Sequence, residues 1–221
     1  MSAGLGAGPS TAVLVSGSGT NLQAIIDQVQ AGQLRVRLAG VFSDVPGAHG
    51  LERARAANIP ATAVDYKAFE DRPAAEAELG RQLAALDPEI VVLAGFMRIL
   101  PNAIVQAYQG RMLNVHPSLL PKFRGLGTFA KVLAAGDKWH GTTVHFVVPE
   151  LDAGPAIIQY RVRVRREDTE ATLRERVQHG EYQVYPQTIG WLACGRLELN
   201  NGAAWLDGNR LLEPVLVDES P

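Results

Sequence analysis

The stretch that decides the fold is Ala12–Val29, AVLVSGSGTNLQAIIDQV. Its opening AVLVS is a β-branched apolar run, which Gly17 and Gly19 interrupt. Leu22, Ile25, Ile26 and Val29 then recur at the spacing of one helix face, so a helix is expected from Asn21 to about Val29. The same unit repeats along the first half. Strands are expected at Val36–Ser43 and Ala61–Val64, and helices at His49–Ala57 and Ala74–Leu86. Glu89–Ala94, EIVVLA, has no polar alternation in its central IVVL, as suits a strand covered on both faces of a parallel sheet. Strand–helix alternation with right-handed crossovers predicts an α/β fold built on an open, doubly wound, mostly parallel sheet. Met97–Leu100, MRIL, reads as the end of a buried strand.

The second half changes character after Pro101. A helix near Ala103–Tyr108 leads into LNVHPSLLPKFRG, Leu113–Gly125, where two prolines and a glycine predict a long irregular loop. Gly141–Val148 and Ala156–Val164 read as longer strands, and Thr169–Cys194 as a helical stretch interrupted near Pro186. The NNG and DGN turn signals within Leu197–Leu211 predict a β-hairpin or meander. The expected organisation is a disordered tail over residues 1–11, a single domain over 12–212 and a C-terminal tail over 213–221.

Composition narrows the partners. A net charge of −2 and a pI near 6.2 lack the basic excess of a dedicated nucleic-acid binder, whose pI usually exceeds roughly 9, so no nucleic acid is expected. No apolar run approaches the roughly 20 residues that span a bilayer, and MSAGLGAGPS does not read as a secretory signal, so no membrane partner is expected. The one cysteine, Cys194, can form neither an internal disulfide nor a cysteine metal site, which fits a reducing cytoplasmic location. His49, His140 and His179 lack a second ligand at metal-site spacing, so no metal is expected. Trp139, Trp191 and Trp205 read as packing residues.

Three constellations carry chemistry. Gly17, Gly19, Thr20 and Asn21 join a strand to a helix, where backbone N–H groups and the helix dipole favour an anion such as a phosphate. The competing readings are an ordinary turn capped by Thr20 or Asn21, and a dinucleotide fingerprint. The latter is weakened because Leu22 replaces the third glycine and the acidic residue, Asp44, lies 25 positions after Gly19. Asn114 and His116 stand two residues apart, so in an extended segment they face one way and can share a substrate atom. An amide and an imidazole stabilise the oxyanion formed when an amine attacks a formyl carbonyl, although a His–Pro pair alone is more often structural. Asp152, in PELDAGP, is placed to hydrogen-bond His116 and relay the departing proton, although Asp before a small turn residue is also a common structural pattern. His145, within TTVHFVV, reads as a core or supporting histidine.

Together SGSGTNLQAI, VLAGFMRIL, LNVHPSLLP, HGTTVHFV, LDAGP and AAWLDG, in this order between about Ala12 and Arg210, resemble the folate-dependent phosphoribosylglycinamide formyltransferases of purine biosynthesis. The resemblance implies a Rossmann-like formyltransferase fold with a C-terminal helix and β-hairpin. It implies transfer of the formyl group of 10-formyltetrahydrofolate, a cosubstrate, to the amine of glycinamide ribonucleotide, without a metal, by a monomer or homodimer. Asn114, His116 and Asp152 fall on the family's catalytic positions. Gly19, Thr20, Asn21 and Glu181 fall on nucleotide positions, and Arg72, Met97, Arg98, Ile99, Leu100 and Asn114 on folate positions. The chain departs at Phe129, where the family often carries a histidine. The alternatives are a formyltransferase acting on a sugar amine, a nucleotide or folate binding module, and a nicotinamide-dependent oxidoreductase using the glycine loop.

Overall fold

The first strand starts two residues earlier than its apolar run suggests. β1 (Ser10–Val15) is buried along its whole length, polar Ser10 and Thr11 included. Ser10 N–H donates to the Glu89 carboxylate at 2.8 Å while its own hydroxyl is buried without a partner, and the Thr11 hydroxyl donates to Pro9 O at 3.1 Å. The computed structural model describes residues 5–220, and the chain divides into two compact units, Met1–Leu113 and Asn114–Pro221. Residues 1–4 of the expected N-terminal tail, and Pro221, lie outside the described residues. Leu5 within that tail exchanges two backbone hydrogen bonds with Leu38, at 3.1 and 2.7 Å.

In the first unit β1 is followed by α1 (Thr20–Gln30), β2 (Arg37–Ser43), α2 (His49–Ala56), β3 (Ala61–Ala63), α3 (Arg72–Leu86), β4 (Ile90–Leu93) and α4 (Asn102–Ala107). α1 buries the four residues that its periodicity selected, Leu22, Ile25, Ile26 and Val29. α3 begins at Arg72 rather than Ala74. Asp71 caps it by accepting from Ala74 N–H at 2.8 Å, and Pro73 fits the first turn, where no intrahelical donor is needed. The strands of this unit run parallel in the order β4-β1-β2-β3. The chain moves outward from β1 to β3 and then returns to β4 on the other side of β1. With right-handed crossovers, that reversal makes the sheet doubly wound and places a switch point beyond the ends of β1 and β4. MRIL is not the end of a strand. β4 stops at Leu93, Gly95 turns the chain at φ 77°, and Met97 and Ile99 are exposed (65% and 54%).

β5 (Met112–His116) straddles the division between the units. It takes in LNVH, expected as loop, because the first proline comes only at 117 and a residue before proline favours the extended conformation that a strand uses. The second unit continues with α5 (Thr128–Ala135), β6 (Trp139–Phe146), β7 (Ala156–Arg163), α6 (Glu170–Ala193), β8 (Leu197–Asn200), β9 (Ala203–Leu206), β10 (Asn209–Arg210) and β11 (Val215–Asp218). Its part of the main sheet has the order β11-β7-β6-β5, with β6 and β7 antiparallel, while β8, β9 and β10 make a separate antiparallel meander. β11 falls in the expected C-terminal tail. It pairs parallel with β7, and the Arg161 guanidinium forks onto Asp218 at 2.7 and 3.1 Å.

α6 runs unbroken through Pro186. The ring removes one backbone donor, yet Val184, Tyr185, Pro186, Thr188 and Ile189 are all buried, and the Thr188 hydroxyl donates to Val184 O at 2.7 Å. The contact of α6 with β7 turns on Gly180. A Cβ there would lie 2.0 Å from Tyr160 Cδ1, within a buried ring that cannot step aside. Gly180→Ala is therefore expected to lower stability by about 1–3 kcal/mol through overpacking, despite alanine's better helix propensity. Urea unfolding checks this: the midpoint should fall with little change in slope.

Candidate active site

Alternation along β5 puts Asn114 and His116 on one strand face. His116 is buried, and both its ring nitrogens face oxygen acceptors. Nε2–H donates to Phe123 O at 3.0 Å, and Nδ1 lies 3.4 Å from Asp152 Oδ2. Asn114 Nδ2 is 3.1 Å from His145 Nε2, which in turn is 3.8 Å from Asp152 Oδ1. The proton positions follow from the acceptors. His145 Nδ1 meets Phe146 O at 2.8 Å and must donate to it, so Nε2 of the neutral ring accepts from the Asn114 amide. Burial lowers the His145 pKa, which keeps that ring neutral and fixes which way the Asn114 amide points. The structure thus brings Asn114, His116 and Asp152 together, with His145 as the link.

Asp152 is held in a conformation that an L-residue seldom takes. Its φ is 49°, a left-handed backbone that disfavours a side chain by about 1 kcal/mol. Two residues on, a Cβ at Gly154 would lie 1.8 Å from Phe146 O, so only glycine lets the turn close this tightly. The buried carboxylate accepts the Gly125 N–H at 2.9 Å. The loop that supplies Phe123 O and Gly125 N–H is tied down in turn. Ser118 Oγ donates to Lys122 O at 2.6 Å, Thr142 Oγ1 to His116 O at 2.9 Å and Thr143 Oγ1 to Ser118 O at 2.7 Å. Lys122 and Arg124 make surface ion pairs with Asp137 and Glu150, in keeping with a solvated loop face.

Phe129 is buried on α5. Its ring meets His140 edge-on at a centroid distance of 5.1 Å, and Arg174 lies 4.6 Å over it. The position the resemblance marks as a departure is thus a packing site. Burial, with His116 nearby, pushes His140 down to about 4.

In the first unit the glycine loop is drawn onto α2. Gly19 has φ 68°, and a Cβ on it would lie 2.5 Å from Gly50 Cα, so the two backbones touch where no side chain fits. Gly50 N–H donates to Gly17 O at 3.0 Å and Arg53 Nε to Ser18 O at 2.8 Å. The cap of α1 is Gly19, not Thr20 or Asn21, and no side chain closes the helix's first turn. That is the arrangement in which a helix N-terminus can receive an anion.

Arg72 and Met97–Leu100 are brought together in the same unit. Arg72 Nη2 donates to Ile99 O at 2.9 Å, Met97 N–H to Ser16 Oγ at 2.8 Å and Arg98 Nε to Asp44 Oδ2 at 2.8 Å. Ser16 Oγ donates to the other Asp44 oxygen at 2.5 Å, so the carboxylate that a dinucleotide ribose would need is already engaged from both sides. Asn114, also on the folate positions, and Glu181, buried on α6, belong to the second unit. Phe123 O and Gly125 N–H are main-chain groups, and no side-chain pattern could have marked them. Among the described residues no group of three or more His, Cys, Asp or Glu is arranged to hold a metal ion, and no helix is long and apolar enough to cross a membrane.

A family profile described as formyl transferase matches residues 10–189. The chain belongs to the formyl transferase family. The phosphoribosylglycinamide formyltransferase of Escherichia coli (strain K12) is 50% identical over 199 residues, 90% of this chain and 94% of that protein. That of Haemophilus influenzae is 43% identical over 200 residues, again 90% of this chain and 94% of the relative. The solved structure of the phosphoribosylglycinamide formyltransferase from Coxiella burnetii matches with a TM-score of 0.90 at 44% identity, covering 95% of this chain and 99% of that one. The resemblance carried by the quoted motifs therefore holds along the length of the chain.

One expectation concerns pH. The unfolded chain protonates His140 near its ordinary 6.5, whereas the folded ring stays neutral down to about 4. Unfolding then takes up a proton within that window, so this residue makes stability fall as pH drops from 6.5 towards 4 and adds no further slope below it, by roughly 3 kcal/mol at most. Unfolding midpoints of wild type and His140→Phe across that range measure the difference. The variant should show the shallower decline.

Proposed function

We propose that this formyl transferase moves the formyl group of 10-formyltetrahydrofolate onto the amine of glycinamide ribonucleotide, the activity that the names of its relatives carry. The observation that carries the reading is the cluster of Asn114, His145, Asp152 and His116, in which His145 orients the Asn114 amide and Asp152 lies against both imidazoles. The nucleotide amine attacks the formyl carbon, and negative charge develops on the carbonyl oxygen. The Asn114 amide has a second N–H beyond the one given to His145 and donates this to the oxygen, and the imidazole of His116 joins it by turning its Nε2–H from Phe123 O to the oxygen once substrate is bound. Removing one such donor typically costs about 3 kcal/mol of transition-state stabilisation. Asp152 holds His116 in place and takes part in moving the proton that the amine loses. The oxyanion then collapses to re-form the carbonyl, the bond from carbon to the folate nitrogen breaks, and tetrahydrofolate leaves with the proton the amine has lost; no covalent enzyme intermediate forms, and orientation of the two reactants supplies part of the rate.

The other site residues take their places in this reading. The open first turn of α1, at Gly19, Thr20 and Asn21, receives the nucleotide phosphate, and Glu181 contacts the same substrate. Arg72, Met97, Arg98, Ile99, Leu100 and Asn114 hold the folate. A single formyltransferase domain over 12–212, acting in the cytoplasm as monomer or homodimer without a metal, completes the proposal. The match of the family profile across residues 10–189 supports the domain assignment.

Absorbance-monitored deformylation of 10-formyldihydrofolate, with and without glycinamide ribonucleotide, tests the activity. Turnover is expected only with the nucleotide present. Turnover without it would make the chain a hydrolase, and none in either case would point to another acceptor amine or to a binding module. Asp152→Asn keeps both the size of the side chain and a residue type that tolerates positive φ. It is expected to fold normally, bind folate, and lose about two orders of magnitude or more in kcat. Near-normal kcat in that variant would remove Asp152 from the mechanism.

A further inference from the structure

We infer that Asp44 is a positioning residue for the folate turn, pinning Met97 and Arg98 at once and tying that turn to the glycine loop. The inference rests on the proposed folate role of Met97–Leu100. Three successive residues of this turn are each anchored from a different element. Ser16, just beyond β1, accepts the Met97 N–H at 2.8 Å. Asp44, just beyond β2, accepts from Arg98 Nε at 2.8 Å. Arg72, the first residue of α3, donates to Ile99 O at 2.9 Å. The first two anchors are one device, because the Ser16 hydroxyl that accepts from Met97 gives its own proton to Asp44 Oδ1 at 2.5 Å.

Asp44 is a charged residue with only 7% of its surface exposed, and a buried carboxylate is retained only with partners for its oxygens. Here Ser16 takes one oxygen and Arg98 the other. The Arg98 guanidinium also lies 4.1 Å over the Tyr66 ring, so it is held from two directions and cannot sweep across the turn. Side chains at the turn are otherwise free to move: Met97 and Ile99 are mostly exposed, and Gly95 precedes them with φ 77°. Such a segment needs outside tethers to present one shape to a ligand. Ser16 is also the residue immediately before Gly17, and its N–H donates to Gly95 O at 3.0 Å. The glycine loop and the folate turn therefore share a residue that Asp44 orients.

The test separates positioning from stability. Wild type, Asp44→Ala and Asp44→Asn are compared by calorimetric binding of 10-formyldihydrofolate and by steady-state kinetics, with unfolding midpoints as the record of folding. Asp44→Ala is expected to weaken folate binding about tenfold or more and to raise the folate KM in parallel, with kcat within about threefold of wild type. Asp44→Asn, which keeps an oxygen for Ser16 but loses the charge facing Arg98, should fall between. A folded Asp44→Ala or Asp44→Asn protein with wild-type folate affinity and KM overturns the inference while leaving the proposed reaction intact. Should Asp44→Ala not fold, Asp44→Asn and Ser16→Ala decide, the latter expected to weaken folate binding by removing the acceptor of Met97 N–H. Failure of the wild type itself to bind 10-formyldihydrofolate overturns the folate reading and this inference with it.

Discussion

A carboxylate taken out of water needs a donor, and in the second unit Asp152 finds one in the Gly125 N–H, between two imidazoles. One of its oxygens takes the Gly125 N–H and faces His116, and the other faces His145. Each partner comes from a separate piece of chain: the end of β5, the loop after it and strand β6. Their convergence explains features that look unfavourable alone. The left-handed backbone at Asp152 and the close approach of Gly154 to Phe146 O disfavour this turn locally. Strain of this kind gathers where surrounding contacts over-determine a residue, as the Gly125 N–H and the two imidazoles do around this carboxylate.

The loop between His116 and Gly125 shows the same logic in neutral groups. Thr143 Oγ1 donates to Ser118 O and accepts from Leu120 N–H at 3.0 Å and from the Gln159 amide at 3.0 Å, so its hydrogen-bonding capacity is full. The same amide reaches Leu120 O at 2.8 Å. A saturated network inside a core has few alternative arrangements. Phe123 O and Gly125 N–H are therefore held in place by the fold itself, which fixes the acceptor of His116 Nε2–H and the donor to Asp152.

Legibility from sequence followed the physics of each segment. The first unit could be read because its strands and helices carry their own periodicity: Leu22, Ile25, Ile26 and Val29 declare a helix face, and IVVL a covered strand. α5 and β11 could not be read that way. α5 lies between Gly127 and Gly136, both with positive φ, and its cap is a glycine, so it has no side-chain signature at its start. β11 is four residues long and owes its form to pairing with β7. Asn114, His116 and Asp152 stand out in the sequence because their side-chain chemistry is distinctive, and the fold brings them together. The turn at Met97–Leu100 misled because MRIL is apolar, and apolarity alone does not separate a buried strand end from an exposed turn held by Ser16, Asp44 and Arg72. Only the resemblance gave those residues a role, since their tethers come from residues distant in sequence.

Phe129 and His140 connect packing to charge. His140 Nε2 is buried without a hydrogen-bond partner, and the rings of Phe123 and Phe129 meet it edge-on. A charged imidazole in that setting would be cut off from water, and the pull of Asp137 does not offset this, which is why its pKa falls to about 4. Burial among these rings keeps His140 neutral down to about pH 4. A histidine at 129 would place a second titratable ring against His140 and give up part of that apolar cover. The phenylalanine found here thus keeps a second titratable ring away from His140, an effect that needs no contact between Phe129 and either substrate.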